Sequence, residues 1–283
     1  MHPLISTEAL AAALNGDRPP VVLDVRWRLG GPPGRLDYEV AHIPGAAYAD
    51  LDTELSAPPG PAGRHPLPEP AELERVLRAA GVREGHPVVA YDGGDGSVAA
   101  RVWWLLRWSG HREVAVLDGG FAAWTAEARE VTADAPTPEP GDITVRPGAM
   151  PVTDADGAAE LAREGTLLDA RAGARYRGET EPVDPRPGHI PGALNAPSAE
   201  HVDTTGHWLT AEALATRFQA LGVTGEGPIG AYCGSGVTAS SIVLALEVAG
   251  LTSENTPATL YAGSWSNWSA DPTRPAATGS EPG

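Results

Sequence analysis

The stretch PIGAYCGSGVTAS, residues 228–240, runs from a short apolar segment through a glycine-rich turn into a second apolar segment. That is the pattern of a buried strand, a tight turn and a helix. The first half of the chain carries its own version, PVVAYDGGDGSVAAR, at 87–101. Further echoes flank the pair in the same order: VVLDVR (21–26) with TLLDAR (166–171), AHIPGAAYAD (41–50) with GHIPGALNAP (188–197), and LDGGFAAW (117–124) with LYAGSWSNW (260–268). The offset is nearly constant, 141 from Asp92 to Cys233 and 147 from His42 to His189. A period this long exceeds that of any stacking repeat, so the chain holds two copies of one domain.

Within the second copy, TLLDA, IGAYC and ATLYA are uniformly apolar rather than alternating, as strands of a parallel sheet covered on both faces are. TAEALATRFQALG (210–222) and VTASSIVLALEVAG (237–250) have helical spacing and stop at glycine. Strands alternating with helices predict an α/β fold, each copy a parallel sheet flanked by helices on both faces. The expected boundaries are 1–132 for the first domain, 133–150 for a Pro- and Gly-rich linker, 151–270 for the second domain and 271–283 for a flexible tail. RVWWLLRW (101–108) reads as an amphipathic helix.

Composition narrows the chemistry. Of 283 residues, 42% are apolar and 20% charged, the profile of a globular protein, and the net charge of −17 argues against nucleic-acid partners. All 20 cationic residues are Arg, which removes Schiff-base lysines and the P-loop lysine and leaves anion binding to Arg or to backbone N–H groups. One Cys permits neither an internal disulfide nor a thiolate zinc site, and the His residues show no metal-ligand spacing. No metal and no cofactor is expected. The N-terminus lacks a basic segment and carries Glu8 within its apolar stretch, so a helix capped near Ser6 or Thr7 is expected there rather than a signal peptide. No apolar run approaches the roughly 18 residues that cross a bilayer, and a cytoplasmic location, where a lone thiol stays reduced, is expected.

Cys233 stands at the predicted carboxyl end of a strand, where open α/β sheets bind ligands. The residues after it, Gly234, Ser235, Gly236, Val237 and Thr238, lead into a helix and can turn their N–H groups inward as an anion cradle that favours a thiolate. The first copy has Asp92 at the equivalent position, so only the second copy can use sulfur as a nucleophile. An arginine six residues after the cysteine would suggest a cysteine phosphatase, but position 239 is Ala; no GxSxG elbow is present either.

The order AHIPGA, YD and LDGG…W, followed by RYRGE, GHIPGA, YCGSGVTA and AGSWSNW, resembles a tandem-domain sulfurtransferase of the rhodanese type over nearly the whole chain. The resemblance implies two rhodanese domains with the catalytic cysteine, Cys233, in the second. It implies that the thiolate takes a sulfane sulfur from a small-molecule donor, becomes a persulfide, and passes the sulfur to a thiol, cyanide or thioredoxin. The Cys-Gly-Ser-Gly loop is similar to that of mercaptopyruvate-specific members, whereas thiosulfate-specific members tend to carry basic residues there. A thiosulfate-specific enzyme and a non-enzymatic sulfur-carrier module are the alternatives.

The same resemblance implies that Arg175, in RYRGE, anchors the substrate carboxylate, with Arg186 or Arg177 as the second arginine. It implies a Ser–His–Asp relay of Ser235, His65 and Asp52, the latter two supplied by the first copy. Asp50 is an alternative to Asp52, and a packing role among prolines is an alternative for His65. His42 and His189 occur in the active and inactive copies alike, which points to turn stabilisation. Trp124 and Trp268, equally shared, are expected to pack on the sheets.

Overall fold

The computed structural model describes residues 1–283, in two compact units. Met1–Ala57, Pro68–Ala149 and Val202–Trp208 form the first; Pro58–Leu67, Met150–His201 and Leu209–Gly283 form the second. Each unit therefore contains a short segment from the opposite half of the chain, and the domain limits are less simple than two contiguous blocks.

In the first unit the strands are β1 (Leu4–Ile5), β2 (Val21–Asp24), β3 (Ala47–Tyr48), β4 (Val88–Tyr91) and β5 (Val114–Leu117), paired in parallel in the order β1-β5-β4-β2-β3. In the second they are β6 (Val152–Thr153), β7 (Thr166–Asp169), β8 (Leu194–Asn195), β9 (Ile229–Tyr232) and β10 (Thr259–Tyr261), in the order β6-β10-β9-β7-β8. The two orders are one topology used twice, as the sequence echoes predict.

Alternation along the strands assigns the faces of the second sheet. Leu167, Tyr232 and Tyr261 share a core with Ala155 and Ala158 of α6 (Ala155–Glu164) and with Trp265 and Trp268 of α10 (Ser264–Trp268). Leu168, Ala231 and Leu260 point to the other face and are buried there, on the side of α9 (Ala239–Val248), which packs on β9, β10 and α8 (Ala211–Ala220). In the first unit Leu10, Val22, Val89, Tyr91, Leu117 and Trp124 form the matching core. The N-terminal helix, Thr7–Leu14, is capped by Ser6, whose Oγ accepts the Ala9 N–H at 3.1 Å. No helix is long and apolar enough to cross a membrane.

One expectation needs correction. The helix spanning Ala99–Trp108 is not amphipathic: every one of its residues is buried, Arg101 and Arg107 included. The linker lies along the first unit, with the Gly141 N–H on Arg78 O at 2.7 Å and Ile143 fully enclosed. The tail is docked as well. Ala277 exchanges both backbone hydrogen bonds with His189 at 2.9 Å, Gly192 N–H donates to Pro282 O, and Trp268 Nε1 donates to Pro275 O at 2.8 Å. Pro and Gly remove regular hydrogen bonding from these segments, but their remaining carbonyls still cap loops of the fold.

Candidate functional site

Residues 234–238 join the end of β9, the central strand of its sheet, to α9. Gly236 has φ +82°, and a Cβ there would fall 2.3 Å from Ala262 O, so only glycine fits. That conformation turns the Gly236 N–H onto Cys233 Sγ at 3.2 Å. The Cys233 N–H donates to Ser264 Oγ at 3.1 Å, while Trp265 N–H donates to Cys233 O and Ser266 N–H to Gly234 O, both at 2.9 Å. The buried thiol is thus fixed to the start of α10 from both sides of its peptide. Ser264 itself sits at φ +52°, which is rare outside glycine. The first unit has Gly120 at φ +55° in its place. The serine hydroxyl, which also donates to Tyr261 O at 2.9 Å, is what the strained position provides: a fixed acceptor for the first N–H of the loop.

The first unit shows what such a loop binds. Asp92 Oδ1 accepts the N–H groups of Gly94 and Gly96 at 3.0 Å, and Oδ2 accepts those of Val98 and Ala99 at 2.9 and 3.1 Å. Burial and the neighbouring Asp95 charge push the Asp92 carboxyl up from its ordinary pKa, and these four N–H donors work against them. The loop is an anion cradle filled by its own side chain. In the second unit Gly236 matches Gly96, and the amides of Thr238 and Ala239, which match Val98 and Ala99, have no protein acceptor.

His65 belongs to the second unit although it lies in the first half of the chain, and its Nδ1 is 2.7 Å from Ser235 Oγ. Both groups are buried. Asp52 belongs to the first unit, where its Oδ2 accepts Trp27 Nε1–H at 2.9 Å and its N–H donates to Asp50 Oδ1 at 3.0 Å. Asp50, the alternative, spends Oδ1 on the N–H groups of Asp52 and Thr53.

Arg175 is held beside the loop. Its Nη2 donates to Glu181 Oε1 at 2.7 Å and to Asp184 Oδ2 at 3.0 Å, and its guanidinium lies 3.5–3.7 Å from where a Cβ on Gly234 would stand. Arg186 is elsewhere. Its three nitrogens donate to the backbone carbonyls of Trp268, Ser269, Asp271 and Arg274, so it clamps the stretch after α10 instead of facing a ligand. Arg177 pairs with Glu179 at 2.7 Å on the exposed surface. Neither guanidinium is among the groups that stand beside Gly234. Sequence reading missed Arg64, whose Nη1 donates to Asp184 Oδ1 at 2.6 Å and whose Nη2 comes within 3.0 Å of the same Cβ point. The only signal was its place next to His65. Glu181 and Asp184, in GETEPVD, were missed for want of any pattern that pairs them with arginines. No cluster of His, Cys, Asp or Glu is placed to hold a metal ion.

The shared histidines are turn supports: His189 Nδ1 bonds Tyr176 O at 2.8 Å and stacks on that tyrosine, and His42 does the same with Tyr38.

Burial pushes the Glu181 carboxyl up, but its hydrogen bonds from Arg175 and from the amides of Asp184 and Val183 outweigh this and leave it below the ordinary 4.5. A depressed carboxylate stabilises fully above its unfolded pKa, and the contribution disappears as pH falls through the folded value. The melting-temperature advantage of the wild type over Glu181→Gln is therefore expected to be constant above about pH 5 and to shrink below it. A gap that widens on acidification would contradict the assignment.

The Rhodanese-like domain family matches residues 6–127 and 154–271. The chain is 47% identical to a Pseudomonas aeruginosa protein named as a probable 3-mercaptopyruvate sulfurtransferase, over 98% of both chains. It is 41% identical to SseB of Mycobacterium tuberculosis, a relative named for thiosulfate, over 98% of this chain and 97% of that one. The crystal structure of SseA from Escherichia coli, titled as a 3-mercaptopyruvate sulfotransferase, superposes with a TM-score of 0.82 at 30% identity, covering 94% of this chain and 99% of that one.

Proposed function

The chain belongs to the rhodanese-like family and is a sulfurtransferase, and from that premise we propose that Cys233 takes the sulfane sulfur of 3-mercaptopyruvate and hands it on as a persulfide. The observation that carries the reading is the contact of His65 with Ser235 in a loop whose first residue is the only thiol.

In the first step the Cys233 thiolate attacks the donor sulfur. A new S–S bond forms, the C–S bond breaks, and its electron pair leaves on carbon as the pyruvate enolate. The enolate needs a proton. Ser235 Oγ supplies it and is replenished by His65, and the pair adds the acid–base assistance that a poor carbon leaving group requires. The cradle amides of Thr238 and Ala239 take the developing negative charge of the persulfide, as Val98 and Ala99 take that of Asp92 in the first unit. Arg175 meets the donor carboxylate through Nη1, the nitrogen that Glu181 and Asp184 leave open. In the second step a thiol or cyanide attacks the outer sulfur and the Cys233 thiolate is released. Thioredoxin qualifies as a thiol acceptor, and the cytoplasm as the compartment.

Thiosulfate tests the assignment because sulfite leaves without needing a proton. Comparing kcat/KM for the two donors, His65→Ala is expected to slow persulfide formation from mercaptopyruvate about 100-fold while changing the thiosulfate rate several-fold less. Equal losses with both donors would remove the proton relay. A wild type that prefers thiosulfate would move the donor to the reading suggested by SseB.

A further inference from the structure

We propose that Arg64 is the second arginine of the substrate carboxylate site, and that it sets the donor specificity of the loop together with Arg175. This rests on the mercaptopyruvate reading.

The position usually sought downstream of Arg175 is taken out of contention, since Arg186 gives all its nitrogens to backbone carbonyls. Arg64 arrives from a different part of the sequence and reaches the same place. Its Nη2 is 3.0 Å, and Arg175 Nη1 3.5 Å, from a single point on the side-chain side of Gly234, the residue next to the nucleophile. One carboxylate holds both. Asp184 is nearly inaccessible at 2% exposure and uses Oδ1 for Arg64 and Oδ2 for Arg175. The Arg64 backbone is fixed too, its N–H on Ser266 Oγ at 3.0 Å in the segment that staples the cysteine loop.

Arg64 is not fully used by these bonds. Its Nε is buried without a hydrogen-bond partner, and no protein acceptor meets Nη2, while 23% of the side chain remains accessible. Nη2, which is not enclosed, is the nitrogen an incoming anion can meet. Glycine at 234 lets the guanidinium stand close, because a Cβ there would lie 3.0 Å from Arg64 Nη2 and press on it.

Charge accounts for the selectivity. Arg64 and Arg175 are offset by Glu181 and Asp184, so the cluster is neutral overall and accepts one carboxylate by geometry more than by bulk field. A flexible cation in the loop itself would attract any dianion. Two open nitrogens, Arg64 Nη2 and Arg175 Nη1, held in place by buried carboxylates, instead match the two oxygens of a planar monoanionic group and leave the thiol of a three-carbon keto acid to reach Cys233.

The test compares 3-mercaptopyruvate with mercaptoacetone, which keeps the carbonyl and the thiol and lacks the carboxylate. Persulfide formation is read by intact mass and by single-turnover rates. Arg64→Ala is expected to raise KM for mercaptopyruvate tenfold or more, to leave the saturated single-turnover rate within about threefold, and to leave mercaptoacetone unaffected. Arg64→Lys keeps the charge, loses the fork and gives an intermediate KM. Arg175→Ala is the positive control and raises KM in the same way. An unchanged KM in Arg64→Ala, or equal losses with both donors, overturns the role of Arg64. A wild type that acquires no sulfur from mercaptopyruvate overturns the donor assignment and the Arg64 proposal together.

Discussion

Cys233→Ala is expected to abolish sulfur uptake and turnover with every donor. No other thiol exists in the chain, and the equivalent cradle in the first unit is filled by Asp92, so there is no group to take over the nucleophile's work. Removing a nucleophile that acts as one unit with its acid–base partners costs several orders of magnitude in rate. The fold has little stake in the thiol itself: Gly236 N–H loses a weak acceptor, and the Cys233 backbone keeps its bonds to Ser264 and Trp265. The melting temperature of the variant should therefore stay within a few degrees of wild type while intact mass after donor treatment shows no added sulfur. Residual turnover above background would mean that another group carries the sulfur.

The largest stability effect is expected from Asp169→Ala. Asp169 lies at the carboxyl end of β7 and Arg171 two residues later; the two are joined by Nε and Nη2 donors at 2.6–3.1 Å and are almost wholly enclosed. Burial works against a charged guanidinium, but the Asp169 carboxylate outweighs it, so Arg171 holds its proton more tightly than free arginine does. Taking away the carboxylate leaves that charge enclosed with Glu181 at 3.4 Å as its one remaining carboxylate, beside the Gly188 carbonyl at 2.7 Å and the Trp265 ring. Breaking a buried pair from one side costs about 3–5 kcal/mol. For a chain of this size that lowers the melting temperature on the order of 10 °C. Replacing both partners with apolar groups, in Asp169→Leu with Arg171→Met, should recover much of the loss. A single Asp169→Ala variant that melts within 2 °C of wild type, roughly the shift of one weak contact, would show that the pair is not what holds this corner.

Much of this was legible in the sequence because duplication labels what is structural. Features kept in both repeats, such as His42 and His189 on their tyrosine carbonyls, are those that shape the turns. The feature that differs, Cys233 against Asp92, marks the proposed nucleophile. Strand ends, glycine turns and helices follow from local physics, and β9, its loop and α9 fall where apolar pattern and glycine put them. The misses come from what is decided at a distance. The helix at 99–108 looks two-sided because it carries arginines, yet those arginines are enclosed by tertiary packing that no periodicity records. Residues 58–67 join the second unit by long-range pairing, which is why His65 could be guessed by family likeness and Arg64 could not be guessed at all. Arg186 was misread because a spacing along the chain does not say which carbonyls a long side chain will find.

The two cradles also differ in length: six residues, 93–98, lie between Asp92 and the following helix, against five, 234–238, after Cys233. The extra residue lets the first loop wrap four amides around a carboxylate, which is longer than a thiol. Installing sulfur chemistry in the amino-terminal repeat would therefore demand an excision together with an exchange. Exchanging Asp92 for cysteine alone would leave a sulfur atom in a six-residue loop shaped around a longer side chain.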